Sequence, residues 1–306
     1  MAIAHCDEVE GRRREAGHLG ATWTDLGTAA GSVTVGVQRI EIDPEGWSTP
    51  AHSKGSEEEI FFVLGGSGIS WQEGEVYDVR AGDCLVHLAL EETHTLRAGP
   101  GGLDVLAFGM RSYAESTHLP RAGVSWLGRT WVEVGADDAP WTREAAAGEP
   151  ELKPPSERPA RIVNVEDVEA RGRELETIHA YWRDLGRAAG SERTGLKHIR
   201  VEPSKLSVPP HCHSAEEEIF VVLEGDGTLL LGEEEHPVRR GQVVARPAGT
   251  GVAHSFRGGP EGMTVLAYGT REPNDIAYYP RSNKIYWRGV GVIGRVERLD
   301  YWDGEV

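Results

Sequence analysis

Cysteine is scarce in this 306-residue chain: Cys6, Cys84 and Cys212 are the full set, with no CxxC spacing among them. An odd count without that spacing argues against a disulfide framework and for a reducing compartment. Long apolar runs are also missing. None approaches the roughly 20 residues that a membrane-spanning helix needs. Residues 1–20 carry charges and glycines where a secretory signal would be apolar. A cytoplasmic location without a membrane partner is the expectation. Basic charge is in short supply as well. Forty-nine acidic against 32 basic residues give a formal net charge of −17, a field that repels a phosphate backbone rather than releasing its counterions. No nucleic-acid partner is expected, and the acidic excess reads as a solvated surface.

What the chain does have is length, glycine and an internal repeat. It is longer than one small core organises, so two domains are expected. At an offset of 159 residues, Trp23-Thr24-Asp25-Leu26-Gly27 recurs as Trp182-Arg183-Asp184-Leu185-Gly186, and Glu57-Glu58-Glu59-Ile60-Phe61 as Glu216-Glu217-Glu218-Ile219-Phe220. At 160, His94 pairs with His254, and Pro120-Arg121 with Pro280-Arg281. The chain is a duplication. Short apolar or alternating runs at 33–42, 60–64, 103–108, 196–201, 229–231 and 264–268 are punctuated by some of the 39 glycines, which favours an all-β sandwich or barrel in each half. The expected units are 1–136 and 161–306. Between them 137–160, rich in alanine, proline and acidic residues, reads as a linker. Residues 161–165 read as a strand introducing the second unit, 166–173 as a helical turn, and 296–306 as a tail packed through Tyr301 and Trp302.

The chemistry-bearing stretch is Pro209-Pro210-His211-Cys212-His213-Ser214-Ala215-Glu216-Glu217-Glu218, followed by the apolar run 219–223. Strand alternation puts His211 and His213 on one face and turns Cys212 to the other, where it packs. Glu218 opens the apolar strand, and Gly225-Asp226-Gly227 reads as the turn that ends it. Downstream, Gly241, Pro247 and Gly249 precede His254. Three imidazole nitrogens and one carboxylate oxygen, from His211, His213, Glu218 and His254, are expected to converge on one ion.

This pattern resembles the cupin superfamily. His211, His213, Glu218 and Gly225 match its first motif, HxH, four residues, E, six residues, G. Gly241, Pro247, Gly249 and His254 match its second. Four residues separate Gly249 from His254 where two are usual, and Gly258 stands where the motif closes on asparagine. These departures fall in turns. The resemblance implies two tandem jelly-roll (double-stranded β-helix) barrels, a bicupin, with the motif histidines pointing inward. Tyr278-Tyr279-Pro280 and Asp300-Tyr301-Trp302 also resemble a group of bacterial double-stranded β-helix proteins of unassigned activity.

Carried back by the offset, the ligand pattern becomes His52, Lys54, Glu59 and His94. An ammonium has no lone pair and repels a cation, so the first site is degenerate, and Lys54 is expected to pair with Glu59. The second site is expected to bind one divalent transition metal, Fe, Mn, Ni, Zn or Cu; four protein ligands on an octahedral ion leave two positions open. His87 reads as a satisfied core or surface histidine. Phe220 and Phe256 are expected to line an apolar wall, and Arg246 to clamp a substrate carboxylate, with Arg257 and Arg271 as further candidates to reverse the acidic field. Among the reactions the resemblance implies, a metal-dependent, dioxygenase-like oxidoreductase acting on a small organic molecule fits one intact site. A non-catalytic binding or sensing bicupin, and a decarboxylase or isomerase of a small acid or sugar, are the alternatives. The partner is a small molecule, and a homodimer is left open.

Overall fold

The computed structural model describes residues 3–112, 115–127, 130–132 and 140–305. Each half is built on two long strands, Glu59–Gln72 with His94–Met110 and Glu218–Leu231 with His254–Thr270. Their central runs are apolar at every position rather than alternately, because both faces are covered. Phe61 and Val63 point into the first barrel's own core, whereas Ile60 and Phe62 join a core shared with the other half. Phe220 with Val222, and Ile219 with Val221, divide in the same way. Alternation then fixes Glu59 and Glu218 on the barrel-facing side.

The first large sheet runs Arg12–Ala16, Leu19–Asp25, Val35–Ile42, His94–Met110, Glu59–Gln72, Asp83–His87, with Glu75–Arg80 also on Glu59–Gln72. The second runs Arg171–Glu174, His179–Asp184, Thr194–Val201, His254–Thr270, Glu218–Leu231, Gln242–Arg246, with Glu234–Arg239 in the corresponding place. A smaller sheet flanks each, Ser53–Lys54 with Ser116–Leu119, Val124–Leu127 and Thr130–Val132, and Cys212–His213 with Ile276–Tyr279, Lys284–Trp287 and Val292–Arg295.

The edges of the large sheets are exchanged. Ile3–His5 pairs with Gln242–Arg246, and Ile162–Asn164 with Asp83–His87. Each sheet therefore carries a strand from beyond the boundary between the two sequence units. The halves also grip each other reciprocally. Glu217 accepts the N–H of Val33 at 2.7 Å, that of Thr34, and the Thr34 hydroxyl at 2.6 Å. Its counterpart Glu58 accepts the Ser191 hydroxyl at 2.6 Å and the N–H of Glu192 at 3.0 Å and of Thr194 at 2.6 Å. Between them the equivalent rings of Phe108 and Tyr268 pack at 5.1 Å.

Three expectations are corrected. Gly225 to Gly227 is not a turn: the strand continues to Leu231 and bends there through a register shift. A Cβ on Gly225 would sit 2.3 Å from the Gly262 carbonyl, and its φ of 71° is left-handed, so glycine lets the two long strands touch at the bend. Gly66 does the same, 2.3 Å from the Gly102 carbonyl. Residues 166–173 hold no helix; a turn at 165–167 leads into Arg171–Glu174. The described part of the linker, residues 140–160, is anchored to the first barrel. Residues 137–139 lie outside the described ones, but Pro140–Ala146 is helical, Glu144 is buried against Arg121 at 2.6 Å, and Lys153 and Ser156 both bond Glu75. Composition hides such anchors because each is a single side chain. The tail, finally, is solvated: Tyr301 is 85% and Trp302 70% exposed, and 296–305 offers no strand to bury them. Val306 lies outside the described residues.

Candidate metal centre

In the second barrel the four predicted donors come from three elements. Cys212–His213 and the residue before it supply the two histidines, and Glu218 and His254 each open a long strand. Donor atoms of His211, Glu218 and His254 lie within 4.8 Å of one another. Glu218 Oε2 is 3.0 Å from His254 Nε2 and 3.4 Å from His213 Nε2. All three of those atoms are buried without a hydrogen-bond partner, a costly arrangement unless something accepts their lone pairs. His211 Nδ1 donates to the Pro209 carbonyl at 2.9 Å. A carbonyl can only accept, so His211 presents its Nε2 lone pair to the site. His213 Nδ1 lies 2.7 Å from Asp275 Oδ2, likewise leaving Nε2 facing inward. Mixed imidazole and carboxylate donation of this kind suits a divalent transition metal, so the residues fit the ion that the sequence pattern implies. Cys212 is buried and points away, and all three cysteines are free thiols.

Burial pushes the His211 pKa down to about 4, reinforced by His254. For His213 burial acts in the same direction but is outweighed by Asp275 and Glu218, which raise it. Burial would raise Glu218; the surrounding histidines overcome it and hold the carboxyl well below its usual range. Asp275 is brought down to about 2 against its own burial, by His213 and by the N–H groups of Ala215 and Glu216.

The first barrel repeats the frame with a cation inside. Glu59 Oε2 lies 3.2 Å from both His52 Nε2 and His94 Nε2, while Glu59 Oε1 is 3.7 Å from Lys54 Nζ. The expected Lys54–Glu59 pair is present, and Nζ also donates to Thr117 Oγ1 at 3.3 Å. Burial opposes the lysine charge, but Glu59, Glu57 and Glu115 more than offset it and raise the Lys54 pKa. A cavity of about 240 Å³ opens onto this group, lined in part by Trp23, Phe61 and Arg111. His87 is a buried residue but only half satisfied: it stacks on His94 at 3.7 Å and its Nδ1 meets Glu92 at 3.0 Å, while its Nε2 has no hydrogen-bond partner.

The substrate-contact candidates separate. Phe220 packs against His254 at 5.4 Å, whereas Phe256 lies behind it, buried in the barrel core at 5.0 Å from Phe220. Arg246 is buried opposite Glu218 in the strand register. Its Nη2 donates to the Val252 carbonyl at 2.9 Å and to Thr250 at 3.3 Å. It thus holds the longer loop that precedes His254, which explains how the altered motif spacing leaves the ligand in place. Arg257 pairs with Glu235 at the surface, and Arg271 lies 3.7 Å from Asp184, so neither is turned to the site.

Two residues were not singled out as site residues by the sequence reading. Asp275 sits 62 residues beyond His213 in no motif, and nothing in a single sequence signals it. Tyr279 stacks on His211 at 5.5 Å and carries Lys284 over its ring at 5.4 Å. Its first-half counterpart is the buried Leu119. The Tyr279 replacement was visible in the repeat, but only the small sheet brings it to the histidines.

Two mirrored barrels, each with donors on its two long strands, define a duplicated double-stranded β-helix. The cupin domain model matches residues 38–99 and 197–267, one match in each half. Each half of the chain thus carries a cupin domain, and the two form a duplicated pair. The fold is similar to the formate complex of oxalate decarboxylase from Lactobacillus farciminis, with TM-score 0.60 at 14% identity over 89% of this chain and 86% of that one. It is also similar to the Bacillus subtilis oxalate decarboxylase studied for its Mn(II) centres, with TM-score 0.58 at 15% identity over 88% of this chain and 76% of that one. No protein with a curated description matches the sequence significantly. No helix among the described residues is long and apolar enough to cross a membrane.

Proposed function

We propose that the second barrel holds one divalent transition metal on His211, His213, Glu218 and His254, and that the chain is a metal-dependent enzyme acting on a small organic molecule with an oxygen donor. The observation that carries this reading is the set of buried, unpartnered His213 Nε2, Glu218 Oε2 and His254 Nε2 atoms facing one another. A bound ion would supply Lewis acidity or one-electron chemistry towards a substrate oxygen. The protein's share is positional. Glu218 holds the negative charge of the site, the histidines present lone pairs, and Phe220 with the Tyr279 ring gives the substrate an apolar approach that excludes water. A dioxygenase-like reaction is the reading to test first, because only one half keeps the full donor set. A decarboxylase of a small acid is the second reading, favoured by the likeness of the fold to the oxalate decarboxylases. The first unit, with Lys54 inside, serves as a metal-free partner barrel.

The test is metal content per chain by plasma mass spectrometry on wild type, His211→Ala and His254→Ala, followed by oxygen uptake of the Fe(II)-loaded protein on diketones, catechols and flavonols. About one equivalent, lost in both variants, is expected. A metal-free wild type under loading conditions would overturn the metal reading. Oxygen uptake on the panel is expected; its absence beside carbon dioxide release from a small dicarboxylic acid would replace the oxygenase with the decarboxylase.

A further inference from the structure

Asp275 lies outside every sequence motif, yet it is 1% exposed and its carboxylate holds four hydrogen-bond contacts at the back of the site, with Arg288 Nε a further 3.9 Å from Oδ2. Its Oδ1 accepts the N–H of Ala215 at 3.0 Å, the N–H of Glu216 at 3.2 Å and the Ser214 hydroxyl at 3.4 Å. Its Oδ2 faces His213 Nδ1 at 2.7 Å. The first oxygen is anchored to the loop between His213 and Glu218, so the carboxylate cannot turn; the second is thereby aimed at the imidazole. An ionised carboxylate only accepts. His213 must therefore carry its hydrogen on Nδ1, because the other neutral tautomer would set two acceptors against each other at that distance.

From this geometry we infer that Asp275 is the positioning residue of the centre: it selects the His213 tautomer and ring plane that make Nε2 the fourth donor. The inference rests on the proposed metal reading and adds a residue to it. A rival assignment would make Asp275 itself a ligand together with His213 and Glu216, which also cluster. The contacts oppose that. Asp275 Oδ2 is occupied by His213, Glu216 Oε1 accepts the Glu272 N–H at 2.9 Å, and Glu216 Oε2 is bonded to Arg288.

The first half supplies an independent comparison. Where the second has His213 it has Lys54, and where the second has Asp275 it has Glu115. Glu115 Oε1 accepts the Gly55 N–H at 2.9 Å, and Oε2 accepts the Ser56 N–H at 3.2 Å and the Ser56 hydroxyl at 2.6 Å. It keeps the loop-anchoring duty on both oxygens and has no imidazole to serve. Donor and carboxylate differ together, as they would if the carboxylate's second task exists only where the histidine does.

The experiment uses the full chain, stripped and reloaded with Zn(II) against a competing chelator or with Co(II) for its visible spectrum. Wild type, Asp275→Asn and His213→Ala are compared, with thermal unfolding of each metal-free form as the folding control. Asp275→Asn is expected to bind roughly 10- to 100-fold more weakly, with a Co(II) spectrum shifted towards that of His213→Ala. Independently of how the variant folds, long-range proton–nitrogen correlation on Zn(II)-loaded wild type reads the ring directly, and His213 is expected to bind through Nε2 with hydrogen on Nδ1. Wild-type affinity and spectrum in a folded Asp275→Asn, or Nδ1 ligation in wild type, would overturn this inference and leave the metal reading standing. A wild type that takes up no metal would overturn both.

Discussion

The two barrels share a backbone plan down to the bend at Gly66 and Gly225, yet one encloses a set of lone pairs and the other an ion pair. The difference is carried by few positions. Exchanging His213 and Asp275 for Lys54 and Glu115 turns a pocket that needs a cation into one that already contains it. Glu59 and Glu218 occupy equivalent places, with two imidazoles beside the first and three beside the second, and both are held ionised against burial. What differs is where the compensating charge comes from. A barrel interior of this shape is thus a holder for one buried carboxylate, and the neighbouring side chain decides whether its counter-charge is covalent or exchangeable.

The sharpest way to break this comparison is to neutralise the two carboxylates. Glu218→Gln should lower bound metal from about one equivalent to none with little change in the unfolding of the metal-free protein. Glu59→Gln should leave metal content unchanged and cost up to about 3 kcal/mol in denaturant unfolding, because it takes the nearest carboxylate from the half-buried Lys54 ammonium. Equal effects of the two substitutions on metal content would refute the assignment of the sites.

A smaller effect is common to the two halves and is read by pH, because Glu57 and its counterpart Glu216 are both pushed up to about 7 by burial. Glu57 is raised to about 7, first by burial, and its folded value therefore lies above the ordinary carboxyl value of 4.5. The folded state holds this proton more tightly than the unfolded one, so the contribution is complete below the unfolded value and is lost as pH rises through about 7. Glu57→Gln should flatten the stability curve between those values by at most about 3 kcal/mol, read from urea midpoints across the range; an unchanged slope would sink the assignment.

Glu58→Gln and Glu217→Gln should each cost roughly 1–3 kcal/mol, since an amide turns donors towards backbone N–H groups. Near-equal losses would support the mirrored interface, and a loss in one alone would break it. The smallest change is expected from Lys54→His. Glu115 has both oxygens committed to the 55–56 loop, so the new histidine should add well under one metal equivalent, and Lys54→His with Glu115→Asp should add more. A full second equivalent from the single substitution would show that the lysine alone separates the halves.

Much of this was legible in the sequence because it is local. Strand period, the duplication and the motif spacing gave the barrel class and brought His211, His213, Glu218 and His254 to one place. Lys54 announced its pair with Glu59 through charge alone. The features that were not legible depend on partners far along the chain. Asp275 becomes meaningful only when the Ile276–Tyr279 strand registers against Cys212–His213. Arg246 looked available for a ligand because its carbonyl partner at Val252 lies in a loop whose shape no pattern encodes. The glycines at 225 and 227 carry turn chemistry, but a bulge uses the same conformations. Aromatic residues in the tail suggested packing, and the absence of a neighbouring strand left them in solvent.

The exchanged edge strands give the molecule a temporal order. As the chain leaves the ribosome, the first barrel lacks its Ile162–Asn164 edge until well after residue 136 has emerged, and Asp83–His87 waits with an open flank. The N-terminal strand waits longer still, since Ile3 pairs with Val244, and such distant closures are slow to form. A strand made before either barrel's long strands is among the last to be placed. Separate expression of either half would leave one open sheet edge and one orphaned strand, so the two barrels form a single folding unit in which each half's opening strand is fastened to the other.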